Sequence, residues 1–209
     1  MKNNSVNLFN RTKLLFMAFT IASVTFLSGC DNDDPKKEDT PELITKVTLT
    51  FTPVGGGAAV TATATDPDDE GVQDISVDGP INLDGEQAYT LSVEIINELA
   101  EPSDPEYDIT AEVEEEGDEH MFFFGWTNNV FSDPAGNGNV DNRSDDVNYN
   151  DEDDDGLPVG LSTSWTTAAA SATGSFTIIL KHQPDLKSAT STSADGESDI
   201  DLDFTINVN

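Results

Sequence analysis

Alternation with a period of two runs through most of the chain and fixes what it can become. "LITKVTLTFTP" (Leu43–Pro53) sets Val47, Leu49 and Phe51 against threonines, and "AAVTATATD" (Ala58–Asp66) repeats the pattern after "VGGG". Successive strand side chains point to opposite sheet faces, so such a run has one face for a core and one for water. The glycines at 55–57 mark a hairpin turn. "AYTLSVEIIN" (Ala88–Asn97), "YDITAEVEE" (Tyr107–Glu115), "HMFFFGWT" (His120–Thr127), "GLSTSWTTA" (Gly160–Ala168), "GSFTIILKH" (Gly174–His182) and "IDLDFTINV" (Ile200–Val208) read the same way. That makes about eight short segments separated by Gly/Pro/Asp/Asn clusters. No long run has a helical period, and strands do not alternate with helices. The chain is expected to be all-β, a single antiparallel β-sandwich of immunoglobulin-like or jelly-roll-like form, spanning residues 42–209. The glutamate-rich stretch 106–116 alone reads equally well as a short helix. Residues 132–156 and 187–198 break the rhythm and read as long polar loops, which in a domain of this size carry function or stay disordered.

The beginning of the chain follows a different logic. Lys2, Arg11 and Lys13 precede the apolar run Leu14–Leu27, which is short for a membrane span. This is a signal-peptide pattern, and it ends in "LSGC", a lipobox whose Cys30 would be diacylated. Residues 1–29 are therefore expected to be a cleaved signal peptide, and residues 30–41, with "DNDDPKKED", an acidic flexible tether. Cys30 is the sole cysteine, which rules out an intramolecular disulfide. An acidic stretch right behind it resembles the surface-export signal of Bacteroidota lipoproteins. The expected location is the outer membrane, lipid-anchored through Cys30 and exposed at the cell surface, with the periplasmic face as the alternative.

Charge narrows the partners. The formal net charge is −32, and all 41 acidic residues follow Cys30. Nucleic acid is excluded as a partner, because its recognition needs a basic footprint. A solvated acidic surface and divalent-cation binding both remain open. "DEDDDG" spaces Asp151, Asp153 and Asp155 at alternate positions before Gly156, and "DPDDEG" does the same with Asp66, Asp68 and Glu70 before Gly71. Alternate carboxylates before a glycine are how calcium loops gather hard oxygens, and ordinary turn chemistry uses the same residues. Neither stretch has a glutamate at the twelfth loop position, where Ser162 and Val77 stand, so neither is an EF-hand.

Two histidines complete the candidate chemistry. His120 opens a row with Phe122, Phe124 and Trp126, and His182 closes one with Phe176, Ile178 and Leu180. If the two strands are antiparallel neighbours, both imidazoles meet at one end of the sandwich. With Glu119 and Asp185 beside them, they would form a site for zinc or another transition metal, and bis-histidine haem ligation is open too. A separation beyond roughly 10 Å would exclude a shared ion. The alternative is two polar strand-end residues. The aromatics Phe122, Phe123, Phe124, Trp126 and Trp165 offer ring area for a sugar or haem but are first of all core material. No thiol nucleophile, G-x-S-x-G elbow or H-E-x-x-H helix is present, so a non-enzymatic protein is expected.

The stretches "LITKVTLTFTP", "DPDDEG", "DEHMFFF" and "LKHQPD" behind the lipobox resemble a family of flavobacterial and related Bacteroidota envelope lipoproteins. Its members often carry the label "type 1 periplasmic binding fold superfamily protein". The resemblance covers most of the chain after Cys30 and implies a cell-envelope role beside a TonB-dependent outer-membrane receptor. The reading that follows is a lipid-anchored surface binding protein that captures a metal ion or metal complex for that receptor. A structural or adhesive immunoglobulin-like module, its acidic loops stiffened by calcium, is the second.

Overall fold

Threonine–apolar alternation becomes two facing sheets. The computed structural model describes residues 42–66, 75–141 and 145–209. The expected signal peptide and tether, Cys30, and the carboxylates Asp68 and Glu70 lie outside those residues. In the first sheet, β1 (Lys46–Pro53) lies between β2 (Val60–Thr65) and β5 (Ala88–Ile96), all antiparallel. The order continues through β9 (Ser162–Thr167) to β7 (Phe131–Asp133), with β3 (Ser76–Val77) outside β2 and β8 (Asn148–Tyr149) also on β9. The second sheet runs β4 (Ile81–Leu83), β11 (Glu197–Val208), β10 (Ala172–His182), β6 (His120–Trp126). Its pairs are antiparallel except β4 with β11, which run parallel. The all-β sandwich is thus what the alternation predicts, with one parallel pairing added at an edge.

Register puts every inward row in line. Val47, Leu49 and Phe51 sit opposite Ile95, Val93 and Leu91. In the second sheet Phe176, Ile178 and Leu180 sit between Phe204, Leu202 and Ile200 on one side and Trp126, Phe124 and Phe122 on the other. These residues form one buried core. Rings from the two sheets interlock across it: Phe51 with Phe176 at 5.9 Å, Phe124 with Trp165 at 5.6 Å and Trp165 with Phe176 at 5.2 Å. The edge-on geometries among them are those aromatic quadrupoles favour.

One segment takes the second of its two readings. Residues 109–115 are helical, not extended: α1 (Ile109–Glu115) follows a single 3-10 turn at Pro105–Tyr107. The Asp108 side chain accepts the Ala111 amide at the start, and Ile109 and Val113, one turn apart, are the residues buried. A sequence that alternates over four residues also places i and i+4 together, and here the cap decides.

The acidic stretch 132–156 is more than a loop. Within it, Asn139 exchanges hydrogen bonds with the Phe124 backbone, its amide donating to the carbonyl (2.8 Å) and its Oδ1 accepting from the N–H (2.9 Å). Tyr149 donates to the Phe122 carbonyl at 2.8 Å. The outer face of β6, with Met121 and Phe123, is thereby covered, and Val140 and Tyr149 pack on it with Ile179. Gly138 makes the approach possible: φ is 91°, and a Cβ there would stand 2.0 Å from the Phe124 carbonyl oxygen. An otherwise open sheet edge is closed.

Candidate metal centre

The turn between α1 and β6 builds the site. After the helix cap at Glu116, the chain reverses over Gly117–Glu119 and enters β6 at His120. The Glu116 carbonyl accepts the amides of Glu119 (2.9 Å) and His120 (3.2 Å) and lies 3.1 Å from His120 Nδ1. A carbonyl can only accept, so Nδ1 carries the proton, and in the neutral ring the lone pair is on Nε2. His120 is fully buried, on the face shared with Phe122 and Phe124.

His182 lies directly opposite His120 in the β6–β10 ladder, and the ring centroids are 4.7 Å apart. The two histidines do meet at one end of the sandwich. Their planes, however, are stacked within 8° of parallel. An ion binds in the plane of an imidazole along the nitrogen lone pair, and two parallel, offset planes have no such point in common. A single ion held by both rings is therefore not what this arrangement offers. Nor is there room for a porphyrin between rings in contact, which disposes of bis-histidine haem ligation.

The helpers divide likewise. Glu119 Oε2 is 3.3 Å from His182 Nε2, so Glu119 serves the outer, partly exposed ring. Asp185 sits exposed in the turn after β10, at a left-handed φ of 59°, and no hydrogen bond or ion pair joins it to either imidazole. The set His120, His182, Glu119 and Asp185 does not converge.

A different set does. Among the described residues, one trio of His, Asp or Glu side chains brings a ligand atom from each within 4.8 Å of the others: Glu42, Glu116 and His120. Glu42 comes from the segment entering β1, Glu116 from the helix cap and His120 from β6. Sequence spacing gave no sign of Glu42, which is 78 positions from His120 by their numbers. Glu116 was hidden in a run of glutamates.

A further carboxylate, Asp199, faces His120. Its Oδ2 is 3.9 Å from Nε2, and its side chain is 2% exposed. Burial pushes its pKa up to about 6; His182 and Lys181 pull it down, while Glu42 and Glu197 push the same way as burial.

The candidate calcium loop has other partners. Asp151 accepts the amides of Gly160 (3.0 Å) and Ser162 (3.1 Å), one on each oxygen. Asp153 Oδ1 accepts the amides of Asp155 and Leu157, and its Oδ2 pairs with Lys187 Nζ at 2.8 Å. Burial raises the Asp153 carboxyl, yet Lys187 and these amides outweigh it and hold the pKa below the ordinary aspartate value. Asp155 is exposed, and Asp151, Asp153 and Asp155 do not bring an oxygen from each within 4.8 Å of the others. In this structure the loop's carboxylates order its own backbone. Asp66, buried at the end of β2, donates its amide to the Thr45 carbonyl at 2.8 Å.

Lys187 also donates to the Gly117 carbonyl at 2.6 Å. One ammonium thus ties the acidic loop to the turn that carries Glu116 and Glu119. Compared with protein-family models, curated proteins and solved structures, the chain shows no match.

Proposed function

We propose that the protein is a non-enzymatic, lipid-anchored envelope protein that captures a divalent transition-metal ion at Glu42, Glu116 and His120. It would pass the ion, or a complex of it, to a TonB-dependent outer-membrane receptor. The convergence of these three ligand atoms within 4.8 Å supports the reading. In a tetrahedral zinc site the donors stand about 3.3 Å apart, so small side-chain adjustments would bring them into range. The tautomer supports it too: a ligating histidine commonly donates its other N–H to a carbonyl, as His120 does to Glu116. Imidazole with carboxylates suits zinc and its first-row neighbours better than calcium. The Cys30 anchor would hold the site at the outer-membrane surface, where such a receptor is at hand.

The calcium-stiffened adhesive module is less well supported, because Asp151 and Asp153 spend their oxygens on amides and Lys187. The test is metal-dependent melting. Zinc is expected to raise the melting temperature with one ion per chain, and His120→Asn to abolish the rise, while calcium changes it little. A melting temperature indifferent to zinc, manganese and cobalt overturns the reading.

A further inference from the structure

The approach of Asp199 to His120 depends on a fault in the β10–β11 ladder. Leu180 pairs with Ile200, but Lys181 pairs with Ser198, so Asp199 is the extra residue of a bulge. In strict alternation Asp199 would face outward with Asp201 and Asp203, both exposed, opposite the inward row of Ile200, Leu202 and Phe204. Bulges re-aim side chains. Here the bulge turns a carboxylate into the end of the core, where Asp199 and Ile200 are buried side by side.

What that carboxylate does there is unlike what the half-buried acids of the acidic loop do. Asp153 takes two amides and an ammonium, and Asp151 two amides. Among the described residues, Asp199 Oδ2 is buried and accepts no hydrogen bond. Lys181, whose charge reaches Asp199, sends its ammonium to Ser198 Oγ at 3.0 Å instead. Burying an acceptor without a partner is costly, and an ionised one more so. The oxygen points toward His120 Nε2 at 3.9 Å, too far for a hydrogen bond. A tetrahedral zinc would need about 3.3 Å between the two donors, so the carboxylate has to move inward by about 0.6 Å. Asp199 stands outside the trio that gathers within 4.8 Å, and the same movement must carry it toward Glu42 and Glu116 for one ion to meet all four.

We propose that Asp199 is a further ligand of the same ion, making a centre of one imidazole and three carboxylates for a first-row divalent transition metal. This rests on the site of Glu42, Glu116 and His120. The Nε2 lone pair and the Asp199 oxygen approach one another from β6 and β11, the two neighbours of β10, at one end of the sheet, and the glutamates come from the segments entering β1 and β6. The donor set excludes soft ions, which take thiolates, and disfavours calcium, which takes oxygen alone.

The experiment uses the full lipoprotein in detergent, with zinc affinity measured against a chromophoric chelator and melting followed with and without zinc. For Asp199→Asn, zinc affinity is expected to fall at least about tenfold, in the same range as Glu42→Gln and Glu116→Gln. Its metal-free melting temperature should equal or exceed that of the wild type, because an unpaired buried carboxylate has been removed. If Asp199→Asn binds zinc as the wild type does while Glu42→Gln and Glu116→Gln do not, the fourth ligand is refuted and the three-residue site survives. If the wild type binds no zinc, both fall. A lower metal-free melting temperature with an undiminished zinc shift makes Asp199 a structural group and refutes the proposal. Should the variant fail to fold, a zinc-soaked wild-type crystal decides: zinc about 2.2 Å from Asp199 Oδ2 is expected, and zinc away from that oxygen refutes it.

Discussion

Asp199 links the site to stability as well as to binding. Its folded pKa, pushed up to about 6 by burial, stands above the ordinary aspartate value of 3.8. Near pH 3 the carboxyl is protonated in both states and costs nothing. Between about pH 4 and 6 the unfolded chain releases the proton first, so the stability of the metal-free protein falls as pH rises. Above about pH 6 the loss is complete, at most about 3 kcal/mol from a shift of this size. Asp199→Asn should therefore be more stable than wild type at pH 8 without metal, with the gap closing by pH 4. Chemical denaturation across that range checks this, and a gap independent of pH would contradict it. His120 and His182 could be paired from the sequence because each ends an inward row and their strands are neighbours. Asp199 could not. The alternation of "SDIDLDF" sends it outward with Asp201 and Asp203, and no local feature announces the bulge.

At the scale of elements, the site depends on how loops are tied to strands. The Lys187–Asp153 pair is buried, with side chains 1% and 2% exposed, and it joins the acidic loop to the α1–β6 turn through Gly117. Removing one partner of such a pair typically costs about 3–5 kcal/mol, because the other charge stays behind unpaired. Lys187→Met is expected to destabilise the protein by that order, and Lys187→Met with Asp153→Asn to recover part of it. Equilibrium unfolding of the three variants measures the difference; a double variant no better than the single would show that lost packing, not stranded charge, dominates. The strand segments of five residues or more were legible because alternation over such lengths admits few other readings. The two- and three-residue strands β3, β4, β7 and β8 were not, since alternation needs more positions than they have. Likewise "DEDDDG" shows where carboxylates cluster but not what they hold. Its oxygens go to amides and Lys187, partners set by the tertiary fold.

For the molecule as a whole, the charge of −32 is the dominant long-range quantity. The sandwich turns acid outward on its strands, as with Asp201 and Asp203 on β11, and few cations stand among them. Like charges held at a folded surface repel more than in an expanded chain, so compactness itself has an electrostatic cost. By the proposed reading, the same field would draw divalent cations toward the end of the sandwich where Glu42, Glu116 and Asp199 lie near one imidazole, and it would repel a polyanion. Both effects are screened over a Debye length, which shrinks from about 30 Å at 0.01 M salt to about 4 Å near 0.5 M. Raising sodium chloride across that interval should increase the melting temperature of the metal-free protein and slow its association with zinc. The affinity lost to salt should be smaller than that lost to His120→Asn, since direct ligation is screened far less than approach. A melting temperature that fell with added salt would mean that local ion pairs such as Lys46–Glu98, not the net field, govern stability.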